Sequence, residues 1–169
     1  MLNKPGAFVD PNLPAGYGPF GVQNIGGWIY VTYAKQDADR VDEIAGPGLG
    51  VVDVYDSSGT FLRRVATGGA LNAPWGLTMA PAGFGEFGGN LLVGNFGDGR
   101  INAYTPTAQG PYAAHGTLRG TNGAPIFIDG LWAIGFGNGA GAGPTTSLFF
   151  AAGPDDEQHG LFGVIQQSP

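Results

Sequence analysis

Short runs of alternating apolar and polar residues recur along the chain, and turns rich in glycine separate them. The stretch "NLLVGNFGDGRINAYT" shows the pattern: an apolar run, a Gly-Asp-Gly turn, and then a run in which apolar and polar residues alternate. Such alternation predicts strands with one buried face, and glycine in a turn permits the positive φ that tight turns need. We find no convincing helical periodicity. The sequence therefore predicts an all-β fold made of many short strands.

This pattern occurs three times at regular spacing. Val22, Leu77 and Leu131 hold equivalent places in three similar passages, so the repeated unit is about 55 residues long. A unit of this size with several short strands is typical of the four-stranded blades of a β-propeller. The blades are predicted at residues 19–68, 74–119 and 129–166, and the last of them lacks its outer strand. The strands expected in the first two blades are residues 21–25, 28–34, 51–56, 61–66, 76–80, 90–96, 100–105 and 112–118.

The two ends of the chain predict how the blades are completed. Residues 6–10 read as a spare strand ahead of the first blade, whereas the third blade stops one strand short. Propellers typically need four to eight blades, so residues 1–169 are predicted to be a single partial propeller, half of a six-bladed ring. The spare strand is expected to complete a blade in cis or in trans. The expected partner is a second copy or another propeller half. The alternative is that this chain is a fragment whose missing half is a separate chain or was lost.

Composition and charge narrow the class of partner. The net charge of −6 disfavours binding to the phosphates of nucleic acid. The chain has no cysteine, which excludes disulfides and thiolate metal sites. No apolar run approaches the roughly 20 residues of a membrane-spanning helix. We therefore expect neither a nucleic-acid partner nor a membrane span.

The stretch "NLLVGNFGDGRINAYTP" resembles the NHL-type β-propeller repeat. Together with "DPNLPAGYGPFGVQNIGGWIYVTYAKQDAD", "LNAPWGL" and "IDGLWAIGFGNG", it is similar to the C-terminal half of a family of secreted bacterial propellers whose function is uncharacterised. Members of that family often carry a PEP-CTERM sorting tag. The resemblance covers Ala7 to Ile165 and implies an extracellular or periplasmic protein, but no established reaction. The chain itself begins without the apolar segment of a signal peptide.

Two acidic loops are the candidate metal sites. Each joins the second and third strands of its blade, and carboxylates are the ligands that Ca²⁺ prefers. Ca²⁺ is therefore the one candidate cofactor, although neither loop has the spacing of an EF-hand. The alternative is that both are solvated hairpin loops, polar because they lie in water. The candidate ligands are Asp37, Asp39, Asp42 and Glu43 in the first loop, and Asp155, Asp156 and Glu157 in the second.

Six further residues mark a candidate face for a ligand or protein partner. In a propeller, the loops that carry them emerge on one face, around the mouth of the central channel. The aromatic residues among them begin inner strands, where they either pack between blades or stack on a ligand. The six residues are Asp98, Asp129, Asn72, Trp75, Phe20 and His159.

The sequence offers no catalytic constellation that we can name. It contains no G-x-S-x-G nucleophile elbow and only two histidines. We predict a non-catalytic propeller module for binding or assembly, which acts through its acidic loop face and its open blade edges. One alternative is a Ca²⁺-dependent hydrolase like the gluconolactonase-type propellers, with lactonase or esterase activity. The other alternative is a structural subunit of a larger extracellular assembly.

Overall fold

The chain folds into eleven short strands that form three antiparallel sheets, as described for residues 4–167 in a computed structural model. Within each sheet the strands follow one another in chain order. Sheet 1 contains β1 (Tyr17–Ile25), β2 (Trp28–Lys35), β3 (Gly50–Tyr55) and β4 (Phe61–Thr67). Sheet 2 contains β5 (Pro74–Met79), β6 (Leu91–Asn95), β7 (Ile101–Thr105) and β8 (Ala113–Thr117). Sheet 3 contains β9 (Leu131–Phe136), β10 (Leu148–Ala152) and β11 (Leu161–Ile165). The all-β prediction is confirmed, and one 3₁₀ turn, Gly85–Phe87, precedes β6.

The first strands of the three sheets pack side by side, with β5 between β1 and β9. Two equivalent glycines make this approach possible. A Cβ atom on Gly21 would collide with the Trp75 carbonyl oxygen, which belongs to β5. A Cβ atom on Gly76 would lie 2.8 Å from the backbone of Trp132 and of Ile134 in β9. The same backbone-to-backbone contact thus occurs twice, once between each pair of neighbouring sheets.

Two apolar cores lie between the sheets, and β6 contributes side chains to both of them. Leu91 and Val93 point into the core shared with sheet 1, where they meet Tyr30 and Val54. Leu92, which lies between them in sequence, belongs to the core shared with sheet 3. Successive side chains of a strand point to opposite faces, so sheet 2 is covered on both sides.

In the described part of the chain, no further sheet covers the outer sides of sheets 1 and 3, and the three sheets do not close into a ring. We call the outer side of sheet 1 the front face; Val22 is exposed there, next to the partly buried Ile29 and the buried Val31. We call the outer side of sheet 3 the rear face, where Phe162 and Val164 are exposed. Both ends of the row of sheets therefore keep an exposed apolar patch.

Residues 6–10, predicted as a spare strand, do not form a strand in this chain. The backbone forms a turn up to Phe8, and Gly6 and Phe8 have φ values of 82° and 57°, which no strand contains. The Phe8 N–H donates to the Gly59 carbonyl oxygen at 2.7 Å, so the segment lies against the β3–β4 turn of its own sheet. It covers the outer part of the front face without pairing as a strand.

Arg64 fastens this N-terminal segment to sheet 1. Its guanidinium donates through Nε to Asp53 Oδ1 at 2.5 Å, and through Nη2 to Asp10 Oδ2. Both carboxylates are buried, with relative exposures of 8% for Asp10 and 0% for Asp53. One arginine therefore compensates two buried acids on two separate segments, one on β3 and one at the N-terminus.

The free energy of unfolding is expected to fall as the pH rises from about 4 to about 6, because of Asp53. Burial raises the pKa of Asp53 to about 6, although the Arg64 guanidinium opposes the shift. A folded-state pKa above the unfolded value means that the protonated carboxyl stabilises the fold, and this contribution is lost as the proton dissociates. Denaturant unfolding of the wild type and of Asp53→Asn, measured across this range, tests the expectation. The variant should show a flatter curve, and parallel curves would contradict the assignment.

Candidate functional site

The connections at one end of the three sheets are joined into a continuous surface, which we call the loop face. Backbone hydrogen bonds link each loop to the next along the row of sheets. The Gly48 N–H donates to the Leu71 carbonyl oxygen at 2.8 Å, and the Gly97 N–H donates to that of Asn72 at 3.1 Å. The loops concerned are residues 36–49, 68–73, 96–100, 118–130 and 153–160.

The same chain of contacts continues to sheet 3. The Ile128 N–H donates to the Gly99 carbonyl oxygen at 2.9 Å, and the Gly153 N–H donates to that of Gly130 at 2.8 Å. Gly99 has a φ of 62° and approaches the Ile128 backbone so closely that a Cβ atom would collide with it. The Gly-Asp-Gly turn thus serves both the hairpin and its contact with the next loop.

Asn72 and Asp98 hold these loops in place. The buried Asn72 side chain accepts a hydrogen bond from the Gly46 N–H at 2.6 Å, which ties loop 36–49 to loop 68–73. Asp98 Oδ1 accepts from Asn95 Nδ2 at 3.0 Å and from the Arg100 N–H at 3.3 Å. Both predicted face residues therefore bind neighbouring parts of the chain itself.

The second acidic loop is anchored at two of its predicted residues, Asp155 and Glu157. Asp129 Oδ2 accepts from the Asp155 N–H at 3.1 Å, and Glu157 Oε1 accepts from Trp132 Nε1 at 2.6 Å. Asp155, Asp156 and Glu157 follow one another with φ values of 56°, 52° and 63°. Three successive non-glycine residues in this left-handed region are costly, and the bonds to Asp129 and Trp132 offset part of the cost.

The first acidic loop is held mainly by its own backbone and by one aspartate. Asp37 Oδ1 accepts from the Val41 N–H at 2.9 Å, and the Asp37 N–H donates to the Asp42 carbonyl oxygen at 2.9 Å. Asp39 is exposed at the tip. The loop is a closed turn with carboxylates on its outer side.

The two acidic loops lie near enough to influence each other. Burial raises the pKa of Glu43, and the negative charges of Asp42 and of Glu157 raise it further. Glu157 belongs to loop 153–160, which is distant from Glu43 in sequence. The loop face thus brings together negative charges from the loops of sheets 1 and 3. Asp42 and Glu43 also line a small cavity of about 110 Å³ together with Phe20.

The predicted aromatic residues are brought together. The ring centroids of Phe20 and Trp75 lie 4.4 Å apart, and Phe96 stands 6.2 Å from Phe20 and 6.1 Å from Trp75. Phe96 was not among the predicted residues, although it directly follows β6 in the repeated motif. All three rings are half-buried, so they pack between sheets 1 and 2 and keep one side open.

His159 stands apart from this aromatic group. Its Nε2 lies 3.8 Å from Asp155 Oδ2, and the two side chains are 70% and 75% exposed. Within residues 4–167, no group of three or more His, Cys, Asp or Glu side chains is arranged to hold a metal ion. The loop face therefore combines negative charge, an aromatic cluster and a fixed backbone.

Comparison with known proteins gives uncharacterised viral relatives. No protein-family model matches the chain, and no solved structure matches it significantly. It is 38% identical over 161 residues to the uncharacterised protein R648 of Acanthamoeba polyphaga mimivirus, a match that covers 92% of this chain and 37% of the relative. The uncharacterised protein L690 of the same virus is 38% identical over 164 residues, covering 92% of this chain and 40% of the relative. A third, R640, is 36% identical over 126 residues, with 74% and 23% covered.

The chain thus spans less than half the length of these curated relatives. Across residues 4–167 the structure has no helix with the length and apolar character needed to cross a membrane.

Proposed function

We propose that this chain is a non-catalytic segment of an NHL-type β-propeller, which assembles with further sheets through its two open ends and presents the loop face to a partner. The proposal rests on the interface between sheets. This interface occurs twice in the chain, whereas the outer sides of sheets 1 and 3 have no partner sheet among the described residues. An apolar face with no partner is costly in water, and contiguous exposed patches mark interaction surfaces.

The repeat of that interface is the main support. Gly21 lets β1 approach β5, and Gly76 lets β5 approach β9, by the same contact of backbone with backbone. Because the same interface occurs twice in succession, a further sheet can be added by repeating it. The blades of a propeller follow one another in this way. We propose that further sheets pack in the same way on the outer side of sheet 3 and on the outer side of sheet 1.

The lengths of the relatives also support assembly. Each viral relative is more than twice as long as this chain. A longer chain of the same kind has room for further sheets of about 50 residues each. In this chain, the two open ends of the row are the places where such sheets would be added.

The polar side chains of the loop face favour a non-catalytic role, because they hold the loops themselves. Asn72, Asp98 and Asp129 each accept a hydrogen bond from a backbone N–H of the loops. These residues stabilise the surface, so recognition is left to the exposed carboxylates and to the aromatic cluster of Phe20, Trp75 and Phe96. A rigid surface of this kind suits binding by shape and charge.

Native mass spectrometry and sedimentation velocity over a wide range of concentrations test the assembly. We expect the mass to exceed that of one chain and to grow with concentration, because both end faces are apolar. Val41→Asp serves as a control, because Val41 is 78% exposed but lies in loop 36–49 and in no strand of sheet 1 or sheet 3. A folded chain that stays monomeric at every concentration would overturn the proposal.

A further inference from the structure

We propose that the front face of this chain binds the rear face of a second copy, and that Phe162 of the rear face enters an apolar groove on the front face. The inference rests on the proposed assembly function and names its partner and its central contact. It does not require any strand to leave its own sheet.

The groove lies between the N-terminal segment and the inner strands of sheet 1. It has a volume of about 620 Å³. Val22 is 68% exposed there, and Val9 on the opposite wall is 55% exposed. Its lining includes the side chains of Phe8, Val9, Leu13, Val22, Ile29 and Val31.

The charge in the groove favours an apolar occupant. Asp10 lines the groove, but it is buried and bound to Arg64. Its negative charge is therefore already compensated within the chain. A charged partner side chain would lose its hydration there without gaining an ion pair.

The rear face presents a matching projection. Phe162 is 74% exposed and stacks on Phe149, with ring centroids 5.8 Å apart and an angle of 6° between the rings. Val164 is 46% exposed beside it, and the strands β9, β10 and β11 contain no charged residue. An exposed aromatic residue on an apolar, uncharged face is the usual centre of a protein interface.

The two internal interfaces identify the partner as a second copy. The rear side of sheet 1, through Tyr30, packs on the front side of sheet 2 at Leu91. The rear side of sheet 2, through Leu92, packs on the front side of sheet 3 at Leu148. Repeating this step once more requires an open front side, and in this chain that is the part of the front face of sheet 1 that the N-terminal segment leaves open.

A second copy can cover the front face and the rear face of this chain at the same time. If the rear face of each copy packs on the front face of the other, the two contacts are identical and related by a two-fold axis. The pair then contains six sheets, within the range of four to eight that propellers use. The N-terminal segment stays bound to Arg64 and forms one wall of the groove.

Charge substitutions at the two faces test the contact. Phe162→Asp and Val22→Asp are each expected to weaken self-association at least about thirty-fold, as for a central interface residue, when measured by sedimentation. Val41→Asp, an exposed valine outside both faces, should leave association unchanged. Circular dichroism checks that each variant is folded. Association that is unchanged in both face variants would overturn the inference.

Disulfide trapping tests the geometry independently. Since the chain has no cysteine, Val22→Cys and Phe162→Cys introduce the only thiols. Mild oxidation of a mixture of the two single variants should give a covalent dimer that neither variant gives alone. The double variant should give a dimer closed by two disulfides, whereas a ladder of longer polymers would overturn the closed pair. If the wild type associates but no disulfide forms, this contact is wrong and the assembly function stands; a monomeric wild type would overturn both.

Discussion

Replacing Arg64 with methionine is expected to lower the free energy of unfolding by about 3–5 kcal/mol, the usual cost of leaving a buried charge without its partner. The substitution would strand Asp10 and Asp53, which are 8% and 0% exposed. Asp53 Oδ2 already has no hydrogen-bond partner among the described residues, so Asp53 has little else to compensate its charge. Urea unfolding followed by tryptophan fluorescence measures the change.

Arg63 provides the matched control for this prediction. It is the neighbouring residue on β4, and its Nη1 donates to the Thr107 carbonyl oxygen at 2.8 Å while its guanidinium lies 5.3 Å from the centre of the Tyr112 ring. Arg63→Met strands no carboxylate and should cost about 1 kcal/mol. Adding Asp10→Asn and Asp53→Asn to Arg64→Met should recover part of the loss, because the stranded charges are then gone. Equal losses for the two arginines would contradict the role given to Arg64.

Adding a single methyl group at the contact between sheets is expected to be the second most damaging change. Gly76→Ala should cost about 1–3 kcal/mol, the usual range for overpacking, and Gly21→Ala should cost a similar amount. A Cβ atom on Gly76 would lie 2.8 Å from the backbone of β9, and strand backbones cannot turn aside as a flexible side chain can. Thermal and urea unfolding give the size of the loss.

The control for this pair lies on the neighbouring inner strand. A Cβ atom on Gly135 in β9 would meet nothing within 4 Å, and its φ lies outside the left-handed region. Gly135→Ala is therefore expected to leave stability unchanged or slightly higher, because alanine restricts the unfolded chain. A loss at Gly135 as large as at Gly76 would show that the inner strands tolerate no side chain anywhere, rather than at the sheet contact alone.

The strands could be predicted from sequence because their signal is local. The run "RINAYT" alternates with a period of two and follows a glycine turn, and β7 begins within one residue of the expected position. Residues 6–10 looked like a strand for the same reason, since Ala7, Phe8 and Val9 are apolar. Their conformation is set by the hydrogen bond of Phe8 to Gly59, a residue about fifty positions away, and no local pattern carries that information.

The candidate site was predictable in position but not in the use of its side chains. Loop positions follow from the repeat, and Asp98 and Asp129 lie in the connections where they were expected. That Asp129 binds a backbone N–H of loop 153–160 depends on how two distant loops meet. Arg64 was missed altogether, because a single arginine in an alternating strand looks the same whether it faces water or two buried acids.

Sheet 2 differs from its neighbours because both of its faces pack on another sheet, through Leu91 and Val93 on one side and Leu92 on the other. Row-like folds in which each unit contacts only its neighbours lose structure from the ends, where each unit has one interface instead of two. Sheets 1 and 3 should thus open before sheet 2, whose amide protons will be the last to exchange with solvent. In an assembled pair these end units would each gain a second interface, so that assembly would convert a gradual melting from the ends into a single cooperative transition.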